Sequence, residues 1–390
     1  MKSIRVLMFA RYLPPEYSGA AAQAFLLAER LRARGHQVEF ATQSWTGRRR
    51  DYQVEGFPVT ALPMRLRARH QEFSIWRSLA RHLWQRRRAL DLLHGHGAYY
   101  TQSILGPFGQ VLGKPSLVKA SLSQNDLSSL TDSSIAPVHR RFLRLVDAYV
   151  AISADLRTEF VASGLAEERV WQIPNGVDTD RFAPVSPDQR RRMAASLGLP
   201  EDRPIALFVG VFDERKRIAW LVRQWVEREA LGSGAHLVAV GPTSRDAYGE
   251  SLRAELERHA ARRPDLVTIR DFTPRIRDYY QAARLLIFPS SREGLPNTVL
   301  EAMACGLPCV VARAPGSDEL VEDGVNGATF TVDDSDSLRA ALGSVAAGAD
   351  AMGAAGRRIA TERFGIERVA DAYEALYERL LSARRAAGAR

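Results

Sequence analysis

The chain has 390 residues, 46% of them hydrophobic and 25% charged, a soluble globular composition long enough for two or three domains with their own cores. Two cysteines are too few for a disulfide scaffold, no apolar run approaches the length of about 18 residues that spans a bilayer, and the apolar run Ile4–Ala10 is too short for a signal peptide. The net charge of +9 is uneven: residues 1–172 hold 24 Lys+Arg against 14 Asp+Glu, and the remainder 30 against 31. The front half is therefore basic, which suits nucleic acid, anionic lipid or a phosphorylated substrate. A cytoplasmic enzyme is the default expectation.

In chain order, Ile4–Phe9 is predicted as a strand, residues 11–19 as a loop and residues 20–34 as a helix. That helix buries Phe25, Leu26, Ala28 and Leu31 and stops at Gly35. Val38–Thr42 is the next strand, completing a strand-helix-strand unit of a parallel sheet. The stretch 64–88 holds eight arginines and one acid, Glu72. On a helical wheel Phe73, Trp76, Leu79, Ala80, Leu83 and Trp84 cluster, with Arg77, Arg81 and Arg88 opposite. This is either a helix resting on an anionic membrane or a sheet-packing helix with a solvated basic face. His94 and His96 follow a predicted strand, Asp91–Leu93. They are candidates for acceptor binding or acid/base work, His96 ahead of His94, or else structural histidines.

The rhythm restarts with a strand at Ile205–Val209, a loop to Lys216 and a helix through Ala230. Further apolar runs are Leu237–Val240, Leu266–Ile269, Leu285–Phe288 and Cys309–Val311. Short strands alternating with helices predict a second doubly wound domain. The segment Ile173–Ser186, interrupted by Pro174, Gly176 and Pro184, reads as the connection. Cys305 and Cys309 read as small buried apolar residues rather than metal ligands. A terminal amphipathic helix, about 366–384, presents Ile366, Val369, Tyr373, Leu376, Tyr377 and Leu380 as one stripe.

The segment Phe288–Gly306 is the richest in chemistry. A strand ends at Pro289, a polar loop follows and a helix starts near Asn297. Glu293 thus sits at the carboxyl end of a strand, where open α/β sheets bind ligands. The backbone N–H groups of Gly294, Leu295 and Asn297 can face that crevice, Pro296 lacking one, and the helix start suits phosphate. Glu301 lies one turn inside the helix. Two such carboxylates can each accept a pair of hydrogen bonds from hydroxyls of one ligand; the plainer reading makes both solvated acids.

Residues 288–311 resemble the glutamate, seven residues, glutamate signature of the retaining GT-B glycosyltransferases, in particular family 4 (group 1). Ile173–Phe182 resembles the segment opening that family's second domain, Gly35-His36-Gln37-Val38 its first helix end, and Glu319–Gly324 with Gly327 the later part of its second domain. The likeness runs from about residue 30 to 365 in order.

The resemblance implies an α/β fold of two facing Rossmann-like domains with a cleft between them. These would be an acceptor-side domain, 1–172, and a nucleotide-sugar-binding domain, 173–365, with the terminal helix packed back onto the first. It implies that Glu293 contacts the transferred sugar, that residues Gly294, Leu295, Pro296, Asn297 and Thr298 hold sugar hydroxyls and diphosphate, and that Glu301 binds the ribose. Phe272 and Thr273 would bracket the base, and Gly19 would let backbone approach the phosphates. Lys216 would neutralise the leaving diphosphate, stabilising the charge that grows in the transition state.

This sequence departs from the pattern in two places. Gly210-Val211 stands where glycine-arginine is usual, so Arg215 is the substitute cation, and Arg217 stands where a glycine usually follows the lysine. No histidine occurs in Val118–Leu127, leaving Ser121, Ser123, Asn125 or Asp126 for its space.

The expected activity is retaining transfer of a glycosyl unit from a UDP-, GDP- or ADP-sugar to a saccharide, lipid-linked or small-molecule acceptor. No metal or other cofactor is required in that picture, and no nucleic acid takes part. The cytoplasm, with possible attachment to the inner face of the cell membrane, is the expected place. The alternatives are a nucleotide-sugar epimerase on the same fold and a catalytically silent, membrane-associated binding protein.

Overall fold

The computed structural model describes residues 3–16, 18–65, 71–130, 135–244 and 247–388. Tyr17 of the first loop and Arg67 and Arg69 of the basic stretch lie outside the described residues. The chain forms two compact units, residues 1–176 with 366–390, and residues 177–365. The first unit extends past residue 172 because the Ile173 N–H still donates to the Ala151 carbonyl and its side chain is buried in that unit's core.

The first unit runs β1 (Arg5–Ala10), α1 (Gly19–Ala33), β2 (Gln37–Ser44), β3 (Arg50–Val54), β4 (Phe57–Pro63), α2 (Gln71–Arg86), β5 (Leu92–His96), α3 (Tyr100–Ser103), α4 (Leu105–Leu112), β6 (Ser116–Lys119), α5 (Ala136–Leu143), β7 (Ala148–Ala151), α6 (Ala154–Ala162) and β8 (Val170–Gln172). Its eight strands lie in the order β3-β4-β2-β1-β5-β6-β7-β8. All pairs are parallel except the β3–β4 hairpin. Its first strand, β3, carries Arg50, Asp51 and Gln53, so no apolar run announces that strand in the sequence. The central strand β1 is buried along Val6–Ala10, as a strand covered on both faces must be. One face packs on α1 and the terminal helix, the other on α2 and the short helices.

The basic helix α2 buries Ile75, Trp76, Leu79 and Leu83, while Phe73 and Trp84 are 51% and 52% exposed. The helical wheel places Phe73, Trp76 and Trp84 on one apolar arc. That arc is wider than the face the sheet covers, so its two edges are left outside. His94 and His96 also differ from expectation. They do not follow the strand but are part of it, buried, because β5 extends through two polar residues to His96.

The second unit runs α7 (Pro187–Ser196), β9 (Ile205–Val209), α8 (Ile218–Glu227), β10 (His236–Val240), α9 (Ala247–Arg262), β11 (Val267–Arg270), α10 (Ile276–Ala282), β12 (Leu285–Phe288), α11 (Asn297–Ala304), β13 (Cys309–Ala312), β14 (Gly327–Phe330) and α12 (Ser335–Phe364). Its strand order is β11-β10-β9-β12-β13-β14, all parallel. The order reverses between β9 and β12, the crevice position where doubly wound sheets take ligands. Helix α8 stops before the expected Ala230, because Ala230 and Leu231 adopt positive φ of 54° and 52° in a short 3-10 turn. Cys305 and Cys309 are buried, and the Cys309 thiol approaches the Leu307 carbonyl at 3.5 Å.

After α12 the chain returns to the first unit as α13 (Ile366–Gly388). Its stripe Ile366, Val369, Tyr373, Leu376 and Tyr377 is buried there. The end of α1 fastens it: Arg34 pairs with Glu367 at 2.8 Å, Asp371 at 2.6 Å and Glu374 at 3.0 Å. His36 accepts the Ile4 N–H on Nδ1, so its proton is on Nε2, which donates to Glu374 at 2.8 Å. The two chain crossings touch on both sides. Gly176 lies so close to Ile366 that a Cβ there would meet Ile366 Cδ1 at 2.6 Å and Cα at 3.2 Å. One residue on, the Val177 N–H donates to the Phe364 carbonyl at 2.8 Å and Val177 bridges Gly365.

Candidate active site

In the second unit, loops leave the carboxyl ends of β9 and β12, the two neighbours at the reversal of strand order. The β9 loop brings Asp213, Arg215 and Lys216; the β12 loop brings Ser290 and Glu293. They meet on one carboxylate oxygen. Glu293 Oε1 accepts from Lys216 Nζ at 2.7 Å, from Ser290 Oγ at 2.5 Å and from Arg215 Nη1. Glu293 and Lys216 are each 8% exposed, so these are charge-assisted bonds sheltered from water.

The loops are braced by backbone as well. The Ser291 N–H donates to the Arg215 carbonyl, Arg215 Nη1 to the Arg292 carbonyl, and the Glu293 N–H to the Pro315 carbonyl. Asp213 accepts the Lys216 N–H at 2.9 Å. The Lys216 ammonium lies 4.5 Å from the centre of the Phe288 ring. Gly316, at φ +76°, passes so close that a Cβ would meet the Gly294 carbonyl oxygen at 2.3 Å, fixing the peptide next to Glu293. Burial works to raise the Glu293 pKa, but Lys216 and Arg215 outweigh it and hold the carboxyl below its ordinary range. Burial draws Lys216 down, against the attraction of Glu293.

Helix α11 starts at Asn297 behind Pro296, a cap residue that offers no side-chain hydrogen bond. Thr298 Oγ1 donates to the Val209 carbonyl at 3.3 Å, tying this helix to the end of β9. Glu301, one turn in, accepts from the buried Tyr280 hydroxyl of α10 at 2.7 Å. Burial pushes its pKa up to about 7, against the pull of Tyr280 and Arg181. Tyr280 in turn stands edge-on to Phe182 at 5.7 Å. Phe272 is 59% exposed on the loop between β11 and α10, and Thr273 Oγ1 accepts the Arg275 N–H.

The first unit holds the other sequence candidates. Gly19 is the first residue of α1, next to the capping Ser18. His94 is bonded through Nδ1 to Tyr377 at 2.7 Å and stacks on His96 at 4.1 Å between ring centres. Burial, with Lys119 and for His96 also His94, keeps both rings neutral at pH 7, well below the usual histidine range. Ser123 donates to Glu159, and Asp126 accepts from the Ser121 N–H and hydroxyl at 2.6 and 3.0 Å. Those two are engaged in holding their own loop. Among the described residues, no group of three or more His, Cys, Asp or Glu is arranged to hold a metal ion.

Against known proteins, residues 17–181 match the Glycosyltransferase Family 4 model and residues 203–347 the model of the group 1 glycosyl transferases. The chain is 30% identical over 284 residues to the GDP-mannose-dependent alpha-(1-6)-phosphatidylinositol monomannoside mannosyltransferase of Mycolicibacterium smegmatis, covering 69% of this chain and 71% of that one. The chain belongs to the family 4, group 1 glycosyltransferases.

It is also 28% identical over 257 residues to the alpha-maltose-1-phosphate synthase of the same organism, covering 62% of this chain and 66% of that protein. Its fold matches the GT-B structure of Anabaena HepE in complex with UDP and glucose, at a TM-score of 0.79 and 18% identity, over 96% of this chain and all of that one. Glu293 and Glu301 stand eight positions apart, with Lys216 and Arg215 both bonded to the first. Sequence reading missed Tyr280 and Ser290. Ser290 lies three residues before Glu293 and was legible as a local partner. Tyr280 meets Glu301 through one hydrogen bond between separate helices, α10 and α11, which no sequence spacing encodes.

Proposed function

We propose that this glycosyltransferase moves a sugar from a nucleoside diphosphate to an acceptor hydroxyl with retention at the anomeric carbon, in the synthesis of a polysaccharide, glycolipid or glycosylated natural product. The observation that carries this reading is the convergence of Lys216, Arg215 and Ser290 on Glu293 at the switch point of the second unit. In the reaction the bond from the anomeric carbon to the phosphate oxygen breaks, and the electron pair leaves with the diphosphate. The acceptor oxygen attacks the same face and its proton passes to the departing phosphate. Lys216, Arg215 and the start of α11 stabilise the charge that grows there, the part a divalent ion plays in other transferases. Glu293 exchanges its cations for sugar hydroxyls as the diphosphate takes the cations over, and Glu301 grips the ribose.

A peripheral site on an anionic membrane is part of the proposal. It is supported by exposed Phe73 and Trp84 on α2 among exposed Arg77, Arg81 and Arg86.

Ligand-observed NMR with UDP-, GDP- and ADP-sugars tests the donor class, and binding of at least one is expected. Glu293→Ala should keep nucleotide binding and lose turnover; unchanged turnover removes Glu293 from the mechanism. Product from donor alone, without acceptor, would favour an epimerase instead.

A further inference from the structure

The sequence has only four lysines, Lys2, Lys114, Lys119 and Lys216. Lys216 meets Glu293, whereas Lys119, the last residue of β6, is 4% exposed and pairs with no carboxylate among the described residues. The contact recorded for its ammonium is the face of Tyr373, 6.0 Å from the ring centre, at the outer limit of a cation–π contact. Buried lysines are rare unless paired, so an unpaired one needs a reason.

Its neighbour across the sheet is His96, paired with it in the β5–β6 register. His96 is 3% exposed, and neither of its ring nitrogens has a hydrogen-bond partner among the described residues. The backbone around the two is already satisfied. The Gly97 N–H donates to the Lys119 carbonyl at 2.7 Å, and Gln102 Nε2 to the His96 carbonyl at 2.9 Å. Both residues end their strands on the carboxyl side. His96 also lies opposite Ala10 of β1, and between β1 and β5 the strand order of this unit reverses. The first unit thus has a switch point of its own, lined by unpartnered donors.

We propose that Lys119 and His96 form a receptor for an oxyanion, a phosphate or carboxylate borne by the acceptor that the transferase glycosylates. The ammonium supplies up to three donors and the neutral imidazole one, a set that suits a tetrahedral or planar anion. Burial alone brings Lys119 down to about 7, so an arriving anion draws a proton onto it and the site charges as it fills. The titratable groups that bear on the pair are His94 from β5 and Tyr373 and Tyr377 from α13. The receptor itself is independent of the donor reading; only the assignment of its anion to the acceptor rests on it.

Four lysines make the test direct. Full-length protein carrying 13C-labelled lysine is titrated from pH 5 to 10, with the Lys119 signal identified by its loss in Lys119→Met. Inorganic phosphate and acetate serve as probes, and UDP, GDP and ADP are added in parallel. With saturating phosphate or acetate, the Lys119 midpoint is expected to rise by about one unit, a tenfold preference of the anion for the charged form. Lys119→Met and, as a second variant, His96→Gln should weaken probe binding about tenfold while leaving nucleoside diphosphate affinity within about twofold. A Lys119 midpoint that neither probe nor any nucleotide moves overturns the proposal. Movement by nucleotides but not by phosphate or acetate overturns the acceptor assignment and gives the receptor to the donor. Failure of every nucleotide to bind, with the phosphate response intact, counts against the donor reading and leaves the receptor standing.

Discussion

A carboxyl group that titrates near neutrality grips hydroxyls well only after it has lost its proton, and Glu301 is such a group. The Tyr280 hydroxyl favours its ionised form, so Tyr280→Phe raises its pKa further. Donor KM is expected to rise about five- to tenfold at pH 6.5, the loss of one charged hydrogen bond, with kcat within about twofold. At pH 8.5, where the ionised form of Glu301 is more populated, the KM gap should narrow. Stability runs the other way. The folded pKa of Glu301 is about 7 against an ordinary value of 4.5. Its favourable contribution is therefore full below 4.5 and lost as pH rises through about 7. Thermal melts of Glu301→Gln should lack that part of the decline. Arg217 is a second residue-scale case. It starts α8 at φ +53°, where a side chain costs about 1–2 kcal/mol, and its ion pair with Asp333 at 3.3 Å is half-exposed and worth little. Arg217→Gly should raise stability by up to about 1 kcal/mol, net of the entropy glycine loses on folding, read from denaturant midpoints.

Helix α13 offers a paired comparison between two buried tyrosines one turn apart. The Tyr377 hydroxyl bonds His94, while the Tyr373 hydroxyl is buried with no partner among the described residues. Tyr377→Phe should cost about 1–2 kcal/mol by stranding a buried imidazole nitrogen, and Tyr373→Phe should be neutral or stabilising. Equal losses in chemical denaturation would mean that the His94 bond contributes nothing. The stripe of α13 was legible in the sequence because its 3.6-residue period is strict from Ile366 to Leu380. The parallel strands were legible as apolar runs, and Ile205–Val209 and Leu285–Phe288 match in full. The strand β3 and the polar end of β5 were not, because their polar residues break the apolar runs that mark the other strands. The same limit applies to the site. Glu293, Glu301 and Lys216 could be read from spacing and resemblance. That Lys216 and Arg215 converge on one oxygen of Glu293 depends on β9 and β12 being adjacent.

At the scale of the whole molecule, the basic charge belongs to one unit. Residues 1–176 with 366–390 hold 29 Lys+Arg against 18 Asp+Glu, and residues 177–365 hold 25 against 27. The second unit is continuous in sequence and has a hydrophobic core made of its own residues. A fragment comprising 177–365 should therefore fold alone, melt cooperatively and bind the nucleoside diphosphate by calorimetry within about threefold of the full chain. A fragment without a cooperative melt would show that the unit depends on the remainder.

The hydrogen bond from Val177 to Phe364 and the bridge to Gly365 bring the two ends of that unit side by side. An inserted module whose entry and exit share one doorway can be lifted out and replaced without unthreading its host. Under the proposed function, grafting the corresponding module of a relative between Gly176 and Ile366 should change which nucleotide is accepted and leave the choice of recipient unaltered. The close approach of Gly176 to Ile366 marks where such a splice must keep its glycine.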